Sequence, residues 1–162
     1  MHAKSYISRI AGVFIASVAL AFGAYAAEPV GHQHDAAGLT ALKLNAGKKW
    51  GTDEPLRKGM EEIRNAVAAD KETIHAGKMN AAKYDALART IDGQVVYIVE
   101  NCKLPSDADA QLHLVLAEVT QGLDAVKGKA KKISRRAGVE RIVASLNAYD
   151  KHFDHPGWRA LN

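Results

Sequence analysis

The chain of 162 residues contains one cysteine. That excludes an internal disulfide framework and a CxxCH site for covalent haem. Proline is also scarce, at four residues, and the three that follow residue 50 fall at expected helix ends. No strand-like alternation of apolar and polar residues runs through the region beyond residue 51. GxSxG, HExxH, CxxC and a phosphate-binding glycine loop are all missing. With no acid–base or nucleophilic constellation legible, the expectation is a protein that is not an enzyme. A strong charge of one sign is lacking too. The formal net charge is +4, and part of it sits in the first residues.

Residues 1–26 read as a secretory signal peptide. Lys4 and Arg9 form a positive start, and an apolar run from Ile10 to Gly23 follows. Ala24-Tyr25-Ala26 places small residues at both recognition positions, so cleavage is expected before Ala27. The run is short for a spanning helix, which needs about 20 residues. Loss of Lys4 and Arg9 leaves 20 basic against 18 acidic side chains, a net charge of +2. So balanced a chain lacks the basic face that nucleic-acid binding needs. The expected location is the periplasm, with no membrane anchor after cleavage.

Residues 27–51 are rich in Gly and Ala and read as a flexible, extended arm with at most a short turn of helix, pinned at its end by Trp50. Four amphipathic helices are expected beyond it. The first covers 54–69, capped by Thr52 or Asp53 with Pro55 in its first turn, and its stripe is Leu56, Met60, Ile63 and Val67. The second covers 81–103, with Asn80 as cap and the stripe Tyr84, Leu87, Ile91, Val95, Ile98 and Cys102. Pro105 ends it. The third begins behind Ser106 as cap, with Asp109 three residues later completing an approximate capping box, and carries Leu112, Val115, Leu116, Val119, Leu123 and Val126. The fourth covers 135–153, with Val139, Ile142, Leu146, Tyr149 and Phe153 on one face, and Pro156-Gly157 stops it. Short connections between such helices favour antiparallel neighbours. The expected fold is all-α, an up-down-up-down four-helix bundle over residues 52–162.

That topology gathers Met60, Cys102, His113, Tyr149, His152 and His155 at one end, with Trp50 and Trp158 alongside. Thioether, thiol and imidazole together suit copper or another soft metal. Met60, Cys102, His113 and His152 are therefore candidate ligands. Met60 and Cys102 lie on the centres of their stripes and His113 and His152 roughly 110° away from theirs. Burial for packing is the competing reading for the first two, solvation for the histidines. His32 and His34, next to Asp35, form a second candidate metal patch in the arm. The connector from Lys127 to Arg136 concentrates basic side chains. Lys129, Lys131, Lys132 and Arg135 are candidates for docking an acidic periplasmic protein partner, against the alternative of a solvated loop.

Short runs resemble a known family. Gly59-Met60-Glu61-Glu62-Ile63, the run from Glu118 to Lys127, and Asn147-Ala148-Tyr149 are similar to segments of the cytochrome b562 family of periplasmic four-helix bundles. The resemblance implies non-covalent haem b and electron transfer, with Met60 as one axial ligand and His152 or His113 as the other. Where that pattern has its histidine, directly after Asn-Ala-Tyr, this chain has Asp150. Three functions follow as expectations: a copper-binding module, a cofactor-free structural or partner-binding bundle, and a haem electron carrier.

Overall fold

The computed structural model describes residues 37–161. The signal-peptide assignment and the His32/His34 patch lie outside them. The described chain is mostly helical. Its helices are α1 (Ala37–Thr40), α2 (Glu54–Ala69), α3 (Lys71–His75), α4 (Ala81–Asn101), α5 (Ser106–Val126) and α6 (Arg135–His152). No strand forms among the described residues, and two isolated bridges, Asn45 with Lys48 and Trp50 with Phe153, are the only β pairing there.

The helix starts follow their local chemistry. Asp53 Oδ1 accepts the Leu56 N–H at 2.9 Å, Asn80 Oδ1 accepts that of Lys83 at 3.0 Å, and Ser134 Oγ accepts that of Ala137 at 3.1 Å. Each satisfies one of the amide groups that a helix start leaves unpaired. Ser106 does not act as a cap. Pro105 takes the cap position with extended backbone, and no side chain bonds the first turn of α5. The expected capping box is absent because Ser106 is itself the first helical residue.

α1 is one turn in the arm, within the short turn of helix that the arm allows. α3 was not expected. It follows α2 after a break at Asp70 and is closed at Gly77, which has φ +65°. The Gly77 N–H reaches the Ile74 carbonyl and the Lys78 N–H reaches that of Thr73, a Schellman ending that only a left-handed residue closes easily.

Leu56, Met60, Ile63, Ile91, Ile98, Val115, Val119, Ile142, Leu146 and Tyr149 are fully buried and form the heart of one core. α5 and α6 make the most extensive pair, α2 and α4 the next, and the contacts α4–α5 and α2–α6 close a ring. Gly122, late in α5, meets Gly138, early in α6. Gly59, early in α2, meets Ile98, late in α4. Both pairs therefore run antiparallel.

The arm is docked from residue 38 onward. The Gly38 N–H donates to Glu118 Oε1 at 3.1 Å and the Lys43 N–H to the Gln111 side chain at 2.8 Å. Trp50 pins the arm as expected. Its N–H donates to the His152 carbonyl at 2.7 Å, and its own carbonyl accepts from Asp154.

Candidate functional site

Two places hold the residues singled out by sequence. The first is the end where the start of α2 meets the end of α4 and of α6. Asp53 organises it. Besides capping α2, its Oδ2 accepts the Lys103 N–H at 2.6 Å, and the Cys102 thiol also donates to it. Burial pushes the Asp53 carboxyl up, but these hydrogen bonds, with the nearby Arg57 guanidinium, outweigh it and hold the group below the usual carboxylate range. The same environment acts oppositely on Cys102. Burial and the negative charge of Asp53 push its thiol up to about 12. A thiol held protonated is neither a nucleophile nor a ready metal ligand at neutral pH.

An aromatic plug fills the middle of this end. Tyr149 and Phe153 stack at 5.1 Å between ring centroids, and Trp158 meets Tyr149 edge-on at 5.1 Å. Tyr149 Oη and His155 Nδ1 share a hydrogen bond at 3.0 Å. Burial keeps the Tyr149 phenol neutral and lowers the His155 pKa, so the pair is a neutral hydrogen bond. The chain reaches this position through a tight reversal. Pro156-Gly157 forms the centre of a turn, with φ +81° at Gly157, and the Trp158 N–H closes it on the His155 carbonyl at 3.1 Å.

The four candidate ligands are placed differently from one another. Met60 is fully buried in the core. Cys102 is half-buried at the end of α4 and tied to Asp53. The side chain of His113 is 69% exposed, with Nδ1 against the Asp109 carbonyl of its own helix and the Asp109 carboxylate at 3.3 Å. His152 is half-buried, and its Nδ1 donates to the Ala148 carbonyl at 2.8 Å. Among the described residues no three His, Cys, Asp or Glu side chains stand together as a metal-binding group. A cavity of about 430 Å³ at this end is bordered by Trp50, Asp53, Lys103 and Asp107, and by none of the four. Asp150 turns to Lys49, with 3.5 Å between charges.

The second place is the turn between α5 and α6. Gly128, with φ +74°, ends α5 in another Schellman motif: its N–H bonds the Ala125 carbonyl and the Lys129 N–H that of Asp124. The turn is braced on both sides against α4. Lys127 Nζ lies 2.9 Å from Asp92. Arg135 lies 2.6 Å from Asp85, donates to the Ala81 carbonyl and covers the Tyr84 ring. Arg135 is thus a brace for the turn, its guanidinium engaged within the fold. Lys129, Lys131 and Lys132 are exposed and make no ion pair among the described residues.

The structure gives three residues roles that the sequence did not assign them. Asp53 was legible as a cap, but its hold on Lys103 and Cys102 spans about fifty positions. His155 lies beyond the last helix and carries no periodic signal. Glu118 reads as a surface residue, yet it is only 2% exposed. Its Oε2 accepts from Arg141 at 2.7 Å while Oε1 holds the arm.

Neither a family model, a curated protein nor a solved structure matches the chain. Among the described residues no helix is long and apolar enough to cross a membrane.

Proposed function

We propose that the chain is an exported binding module, an up-down-up-down four-helix bundle that carries no cofactor in its core. Its α5–α6 turn docks an acidic partner in the periplasm. The observation that carries this reading is the state of the turn's cations. Lys127 and Arg135 are spent on bracing the turn against Asp92 and Asp85. Lys129, Lys131 and Lys132 are left exposed, with no ion pair among the described residues, on a turn closed by backbone hydrogen bonds. A turn already rigid loses little entropy on binding, and clustered positive charge speeds encounter with a negative surface.

The cofactor-free part rests on how the opposite end is occupied. Tyr149, Phe153, Trp158 and His155 pack on one another where the sequence placed a metal or haem. The copper reading draws no comparable support, since His113 faces solvent and Cys102 is held as a thiol.

Photo-crosslinking from a reactive residue at Ala130, whose capture does not depend on lysine amines, tests the docking in the periplasm of an expressing host. The native chain is compared with a Lys129→Glu/Lys131→Glu/Lys132→Glu chain, with thermal unfolding as control for the fold. The expected result is a discrete adduct that the native chain forms and the triple variant loses while unfolding at the same temperature. The same adduct in both would reject the reading.

A further inference from the structure

A second opening lies where α2 breaks into α3 opposite the first half of α6. It is a half-open cavity of about 190 Å³, walled by Val67, Ile74, Val139, Val143 and Leu161. An engineered apolar cavity of about 150 Å³ holds a benzene ring. The space therefore suits an apolar body of similar size.

One wall residue breaks the apolar pattern. The stripe of α2 runs Leu56, Met60, Ile63, Val67, and Ile74 continues it seven residues later. The position between, four after Val67 and three before Ile74, is Lys71. It borders the cavity, is half-buried, and makes no ion pair among the described residues. A half-buried ammonium beside apolar walls, unpaired among the described residues, is placed to bond the anionic head of a bound molecule. The other charges at the cavity do not supply a counter-charge. Glu140 is engaged with Arg136 at 2.9 Å, and His75 adds no negative charge. Among the described residues that line it, Lys71 and Arg136 outnumber Glu140.

We infer that this cavity binds a small amphipathic monocarboxylate, its apolar body between the valines and Leu161 and its carboxylate on Lys71. Arg136, at the same rim, offers a second donor. The apolar walls reject a fully polar anion such as phosphate. The unpaired ammonium favours a carboxylate over an alcohol or an amine of the same length. The site uses none of the turn lysines and stands apart from the docking reading.

Methyl NMR of the exported chain tests it, with octanoate, 1-octanol and octylammonium titrated separately below their aggregation limits. Octanoate is expected to shift the methyl signals of Val67, Ile74, Val139, Val143 and Leu161, and to bind about tenfold tighter than octanol. Octylammonium is expected to bind more weakly than octanol. Lys71→Met keeps the side-chain length and removes the charge; it should bring octanoate and octanol to within about threefold of each other. Val143→Trp fills the cavity and should abolish binding of both, with circular dichroism confirming the helices. The Lys129→Glu/Lys131→Glu/Lys132→Glu chain should bind octanoate as the native chain does. Equal affinity for the three probes, shifts confined to other methyl groups, binding that survives Val143→Trp, or no binding at all would overturn the inference.

Discussion

Glu118 shows at the level of one residue how the arm is held. Its carboxylate is only 2% exposed, and Arg141 and the Gly38 N–H both bond it. Removing one partner of a buried ion pair leaves the other uncompensated, which costs about 3–5 kcal/mol. Glu118→Ala is therefore expected to lower stability by that order in urea denaturation, and to raise amide exchange at Gly38. Replacing the charge by Glu118→Gln keeps an acceptor for Gly38 and should restore slow exchange there. Asp53 and His155 set the response to acid. Asp53 is held below its ordinary value of 3.8 and His155 below its ordinary value of 6.5. In both cases the unfolded chain binds the proton more readily than the folded one. Their contributions are complete above about pH 6.5 and are lost going down, His155 first and Asp53 below pH 4. Stability measured against pH should fall in two steps. Asp53→Asn should remove the lower step, and His155→Gln the upper.

Elements were legible in proportion to their amphipathic length. α2, α4, α5 and α6 each present apolar residues at helical spacing over four or more turns, so the sequence reading placed them within two residues at each end. α1 is a single turn and α3 is five residues, both too short for a period to appear. Lys71 also interrupts the stripe at the place where α3 begins. Where the polar residue precedes the first apolar position the caps were legible: Asn80 outright, and Asp53 as one of two candidates with Thr52. Ser106 misled because Pro105 had already taken the extended backbone that a cap requires. The closest approach, between α5 and α6, depends on glycine at both positions. A Cβ on Gly138 would stand 2.6 Å from the Gly122 carbonyl oxygen and 2.8 Å from the Val126 nitrogen, both backbone atoms that cannot swing aside. Gly138→Ala is expected to destabilise the fold by about 1–3 kcal/mol through forced separation of the two helices. Gly93→Ala, in a helix position with nothing near it, should instead be neutral or stabilising in the same denaturation assay.

The whole molecule differs from its sequence reading mainly in what occupies its two ends. Topology was enough to say that Met60, Cys102 and the C-terminal histidines gather at one end. It was not enough to say what each side chain does there, because that is fixed by contacts across the chain: Asp53 with Cys102, Tyr149 with His155, Lys49 with Asp150. The basic connector was legible as a charge run, and the structure divides it into bracing and unpaired cations. A competing surface exists on α4, where Val96 and Val99 are 51% and 66% exposed. Photo-crosslinking separates the two most directly. A photo-reactive residue is placed either at Ala130, inside the α5–α6 turn, or at Val99, and captured proteins are compared in the periplasm. A partner captured from position 130, through a segment rich in Asp and Glu, and not from position 99 is expected. Capture from position 99 with none from position 130 would contradict the docking role of the turn.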